Sequence, residues 1–175
     1  QGQTLNNATN VMLIGGGNNA SAQLTAGTSQ NMTPISGTLS VQGGSGSAAF
    51  AEIVAGTSQN LGRSMGSLFT DLVLVQGGTG TGTYASMRSG TSQNIQSSGD
   101  IRVLGNSASG SNAEIKAGSS QTIGSTALPT FFSFNDPTAE ILVQAGSGGT
   151  AQILDAGTQT VLASERIMVL GGSGT

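Results

Sequence analysis

The sequence predicts an all-β chain wound as a parallel β-solenoid (a β-helix). It would have about six coils of three short strands, with a period of about 28 residues and loop insertions. Three observations predict this. The word Gly-Thr-Ser-Gln-Asn stands at 27–31, 56–60 and 90–94, and returns as Gly-Ser-Ser-Gln-Thr at 118–122. Apolar and polar residues alternate around it with the period of two that marks strands. Glycine makes up 29 of 175 residues, more than twice its ordinary share of about 7%, and gathers between the alternating runs. Self-similarity at a fixed period marks stacked-repeat architectures. A β-sandwich with glycine-rich turns would have no reason to repeat the same words.

Each repeat opens on two apolar residues spaced by one: Val11/Leu13, Leu39/Val41, Val73/Val75, Ile101/Val103, Ile141/Val143 and Ile167/Val169. The first small residue after each pair is Gly15, Gly43, Gly77, Gly105, Ala145 and Gly171, at spacings of 28, 34, 28, 40 and 26. A Gly/Ser/Thr-rich turn follows, and then a second alternating segment. In that segment Ala22, Leu24 and Ala26 share one face while Gln23 and Thr25 take the other; Ala51, Ile53 and Ala55 repeat this, with Glu52 and Val54 outward. Small residues beside one branched residue suit a narrow interior. The glycine that comes next is expected to supply corner backbone angles that other residues reach only with strain.

The third segment is the recurring word with its apolar tail, ending on Met32, Leu61, Ile95 and Ile123, and one residue short in the last copy. If the strand runs straight from the corner, Gln30, Gln59, Gln93 and Gln121 share parity with those apolar residues. They are then predicted to stack as a structural ladder, amide on amide.

The uneven spacings predict insertion loops at 62–71 and 124–139 within a single domain spanning 1–175, since insertions in stacked repeats bulge outward. The second insertion holds Phe131, Phe132 and Phe134, three of the five phenylalanines. An apolar cluster outside the core coil is a candidate contact loop, or a cover folded back on the solenoid. Residues 3–16 match 159–172 in register, so the chain starts on a third strand and stops after a first one, with no amphipathic cap. With Gln1 in place of an initiator Met, the expectation is a segment of a longer protein or a subunit of an end-to-end fibre.

Composition excludes several functions. There is no His, hence no Ser-His-Asp triad or imidazole base, and no Cys, hence no disulfide or thiolate metal site. Net charge −3 with 7% charged residues offers no basic surface for nucleic acid. No apolar run approaches the length of a membrane-spanning helix. Catalytic, cofactor-binding and metal-binding residues are all expected to be none. The acids Glu52 and Glu114 fall at equivalent outward positions two coils apart, with Ser86 between them and Arg88 and Lys116 nearby. Paired acids could serve glycoside hydrolysis, but the reading taken is solvated surface charge.

Gly44–Ala49 fits a dinucleotide fingerprint formally, yet a strand rather than a helix follows it. The Gly-Gly turns lack the aspartate of calcium-binding nonapeptides. The sequons at Asn7, Asn19 and Asn31 carry little weight in a chain so rich in Asn, Ser and Thr.

The stretches LSVQGGSGSAAFAEIVAGTSQNL (39–61) and LVLVQGGTGTGTYASMRSGTSQNI (72–95) resemble repeats of filamentous-haemagglutinin-like bacterial exoproteins and adhesins. The resemblance extends over nearly all of 3–175 and implies a parallel β-helix that attaches to surfaces, matrix or other cells. The expectation is therefore a non-enzymatic, extracellular or cell-surface structural protein: a rigid segment of a surface fibre, adhesin or biofilm-matrix filament. Self-association is expected, and a cell-surface or glycan ligand is the further partner it allows. The alternative is a carbohydrate-active or carbohydrate-binding β-helix. An ice-binding solenoid would want flat outward ranks of Thr, where this chain mixes Gln, Glu, Val, Arg and Lys.

Overall fold

A computed structural model describes residues 1–62, 71–125, 139–163 and 165–172. The contact loop expected at Phe131, Phe132 and Phe134, and most of both expected insertions, lie outside them. The described residues form strands and no helix. In chain order the strands of the first three coils are β1 (Gln3–Leu5), β2 (Val11–Ile14), β3 (Ser21–Ala26); β4 (Gln30–Met32), β5 (Thr38–Gln42), β6 (Phe50–Ala55); and β7 (Ser58–Gly62), β8 (Leu72–Gln76), β9 (Tyr84–Ser89). The chain continues through β10 (Ser92–Ser97), β11 (Asp100–Leu104), β12 (Asn112–Ala117); β13 (Ser120–Ser125), β14 (Glu140–Gln144), β15 (Thr150–Asp155); and ends on β16 (Thr158–Ala163) and β17 (Arg166–Leu170).

Every strand pairs in parallel with the strand three places along the chain, so three sheets run the length of the stack: β1-β4-β7-β10-β13-β16, β2-β5-β8-β11-β14-β17 and β3-β6-β9-β12-β15. The fold is a parallel β-solenoid of about six coils, as the repeat predicts. Parallel pairing of successive coils places like residues on like. Leu24, Ile53, Met87, Ile115 and Ile153 form one inward column, and Val11, Leu39, Val73, Ile101, Ile141 and Ile167 another. Ile53, Met87, Ile115, Leu39, Val73 and Ile101 have no exposed surface. At roughly 1.5–3 kcal/mol for each such side chain, these columns are the main favourable contribution to the stack.

Gly27, Gly56, Gly90 and Gly118 open the recurring word, and none of them has a positive φ; among the described glycines only Gly62, Gly82 and Gly110 do. Corner angles therefore do not explain them. A Cβ on Gly56 would lie 2.1 Å from the Gly27 carbonyl oxygen, on Gly90 2.0 Å from that of Gly56, and on Gly118 2.0 Å from that of Gly90. The glycines stack directly over one another at strand-pairing distance, leaving no room for a side chain. Hydrogen bonds run through the same corner, from Thr57 N to Thr28 O (2.8 Å) and Thr91 N to Thr57 O (2.8 Å).

Two boundaries differ from the sequence expectation. Gly62 ends β7, and Gly124 and Ser125 belong to β13, paired with Gln96 and Ser97, so the strands reach into the expected insertions 62–71 and 124–139. Asp71 returns to the stack by donating its N–H to Gly37 O at 2.8 Å. The last copy of the second segment is also shifted. Aligned by its Ala-Gly word, Asp155 would sit outward opposite Lys116, but the strands pair Asp155 with Ala117 and Lys116 with Leu154. A slip of one residue exchanges the faces of a strand. Gly157 accordingly packs over Ser119 rather than Gly118.

Candidate functional site

Two polar columns run along the stack, one inside and one outside. The inner one is the glutamine column. Gln30, Gln59, Gln93 and Gln121 pair in register, with Gln3 below and Gln159 above. Each side-chain amide donates to the glutamine of the preceding coil: Gln30 to Gln3 and Gln59 to Gln30 at 2.9 Å, then Gln93 to Gln59, Gln121 to Gln93 and Gln159 to Gln121 at 2.6 Å. The same amides of Gln30, Gln59 and Gln93 also donate to the carbonyls of Leu24, Ile53 and Met87, at 3.3, 3.4 and 3.2 Å. Both N–H groups and the oxygen are thus engaged, which is what permits an amide to sit 1–3% exposed in an apolar interior. On the outer face of the same strands, Asn60 donates to Asn31 (3.2 Å) and Asn94 to Asn60 (2.8 Å). The Gln-Asn pair of the recurring word therefore forms one ladder inside and one outside.

The outer column lies on the sheet β3-β6-β9-β12-β15, where Gln23, Glu52, Ser86, Glu114 and Gln152 stack in register. The expected equivalence of Glu52 and Glu114 is present, but Glu52 is not solvated. It is 7% exposed, accepts from Gln23 Nε2 at 2.8 Å, and forms an ion pair with Arg88 Nη2 from the next coil. Long neighbours in adjacent coils lie across it and exclude water. Glu114 accepts from Gln152 Nε2 at 2.8 Å. At about 4.8 Å per coil the backbones of the two acids stand near 10 Å apart along the column.

Ser86, the short residue between these acids, floors a notch of about 160 Å³ lined by Tyr84, Ser86, Arg88, Asn112, Glu114 and Gln152. Its hydroxyl is buried without a hydrogen-bond partner, as is Arg88 Nε. Tyr84 stacks flat on Phe50, with ring centroids 4.6 Å apart and planes inclined by 5°. Partial burial pushes the Tyr84 phenol above its ordinary value of 10.0; the Glu52 charge adds to this and Arg88 opposes it. No group of three His, Cys, Asp or Glu suited to a metal ion occurs among the described residues.

The sequence located Glu52, Ser86, Arg88, Lys116 and Glu114 on this face but missed the aromatic stack and the burial of Glu52. Phe50 and Tyr84 both open the second segment, as the first residues of β6 and β9, a signal that register alone would have turned into a contact. Comparison with protein-family models, curated proteins and solved structures finds no match to this chain, so its function is argued from the geometry.

Proposed function

We propose that this chain is a rigid structural segment of a bacterial surface fibre, adhesin or biofilm-matrix filament, acting outside the cell and without catalysis. The observation that carries the reading is the buried glutamine column, hydrogen-bonded without interruption from Gln3 to Gln159. It adds a second set of bonds along the stack axis, parallel to three unbroken backbone sheets. Such a rod resists bending and shear because deformation must break many buried bonds together. The resemblance to filamentous-haemagglutinin-like repeats supports the surface location.

Self-association fits the same reading. Successive coils pair strand on strand in parallel, and a head-to-tail contact between copies that repeats this pairing builds an open filament. Electron microscopy and light scattering of the purified chain over a range of concentrations test this. Rods much longer than one chain's roughly 30 Å stack, growing with concentration, are the expected result. A monomer at every concentration would overturn the self-assembling form of the proposal.

A further inference from the structure

The outer faces of the three sheets differ in kind. On β1-β4-β7-β10-β13-β16 the outward column of the middle coils is Asn31, Asn60, Asn94 and Thr122. On β3-β6-β9-β12-β15 it is the polar column from Gln23 to Gln152. On β2-β5-β8-β11-β14-β17 the alternation that buries Val73, Ile101 and Ile141 sends leucines outward. Leu74 and Leu142 stand in one column on either side of Arg102, with Met168 next above, and Leu72 and Leu104 stand in the columns beside it. All five apolar side chains are only half-buried. An apolar face on one side of an otherwise polar rod marks a contact surface.

Charge narrows what covers it. The four charged side chains on these strands cancel: Arg102 pairs with Asp100 and Arg166 with Glu140, each at 2.6 Å. Asp100, Glu140 and Arg166 lie at the starts of their strands, so these charges sit toward one margin, where a polar rim belongs. The chain as a whole carries −3, so this neutral face is where two copies approach without like-charge repulsion, and it offers no net charge to a charged partner.

Area sets the condition. At about 3.3 Å per residue and about 4.8 Å per strand, up to five residues on six strands make a face of roughly 480 Å². A stable interface takes roughly 800 Å² from each partner, so two single chains fall short, whereas two chains end to end present roughly 960 Å² on one side. Sheets pack face to face about 10 Å apart, which the outward leucines fill.

We propose that the outer face of β2-β5-β8-β11-β14-β17 is a lateral interface, at which a second rod of the same chain packs sheet against sheet. The inference rests on the fibre reading given above, because one chain alone is too short to hold its partner.

Mass per length of rods assembled from the full chain tests it, measured by small-angle X-ray scattering and viewed by electron microscopy. The expected value is twice that of a single rod, with two rods seen side by side. Leu74→Glu combined with Leu142→Glu makes the face net negative, while both new carboxylates flank Arg102 within their own rod. Mass per length should then fall twofold and rod length persist. If that variant does not fold, Leu74→Gln with Leu142→Gln introduces the residue already outward at Gln42, Gln76 and Gln144, and should also give single rods. Single rods from the unaltered protein, or pairs that survive in a folded variant, would overturn the lateral interface and leave the fibre reading standing. Absence of rods at every concentration would overturn both. Sedimentation of the dilute, unassembled chain with phosphatidylcholine vesicles would assign the face to a lipid surface and overturn the pairing as well.

Discussion

Replacing Gln59 by Leu tests the inner ladder most directly. Gln59 is 2% exposed, donates to Gln30 Oε1 at 2.9 Å and to Ile53 O at 3.4 Å, and accepts from Gln93 Nε2 at 2.6 Å. Leucine has nearly the same volume, so the change removes bonds without opening a large cavity. It leaves the Gln30 oxygen and one Gln93 N–H unpaired in the interior. Each such orphan costs about 1–3 kcal/mol, or about 2–6 kcal/mol together. The added apolar burial of Leu offsets roughly 1.5–2 kcal/mol, leaving a net loss of about 2 kcal/mol at mid-range and about 4.5 kcal/mol at most. Asn60→Ala supplies the internal control: it makes the corresponding ladder bonds, donating to Asn31 and accepting from Asn94, but on the outer, half-buried face where water can replace them. Its expected effect is smaller, within about 0.5–1 kcal/mol. Urea unfolding followed by circular dichroism measures both, read from midpoints at constant slope. A Gln59→Leu variant as stable as the parent, or an Asn60→Ala variant equally damaged, would refute the view that burial makes the ladder structural.

Gly90→Ala would put a Cβ 2.0 Å from the Gly56 carbonyl oxygen and should lower stability by about 1–3 kcal/mol or more, whereas Gly17→Ala, with nothing within 4 Å, should be neutral or stabilising by up to about 1 kcal/mol; equal effects in urea would dismiss the stacking explanation. Asp155 points inward with both carboxylate oxygens buried and unpartnered, in a column otherwise formed by Ala26, Ala55, Ser89 and Ala117. Asp155→Ala should therefore raise stability by about 1–3 kcal/mol, seen as a higher urea midpoint; a lowered midpoint would show that the carboxylate has a stabilising role. Tyr84 is the only tyrosine, so ultraviolet absorbance follows its ionisation alone, and it should titrate above 10.0 in the folded chain. Because the folded state holds the proton more tightly, this contribution to stability is complete below the unfolded value of 10.0 and is lost as pH rises through the folded one. Glu52→Gln should move the titration back toward the ordinary value; an unmoved curve would remove Glu52 as a cause.

By itself the sequence determined the solenoid, the three segments of each coil and the parity that turns the glutamines inward. These follow from local alternation and from repetition, and in a parallel stack repetition is register: a residue's neighbour is its own counterpart one coil away. Gln59 could thus be set on Gln30, and Glu52 placed two coils from Glu114, without coordinates. Only the tertiary structure decided what depends on distance rather than order. Gly56 and Gly90 are glycines because carbonyl oxygens of the coil below occupy the space of a Cβ, not because their backbone angles demand it. Glu52 is buried because Arg88 and Gln23 reach across coils to it, which side-chain length and position allow but alternation does not specify. Asp155 faces inward because strand pairing, which aligns many backbone hydrogen bonds at once, prevails over the match of a two-residue word. The unpartnered hydroxyl of Ser86 likewise appears only when the longer side chains around it are in place.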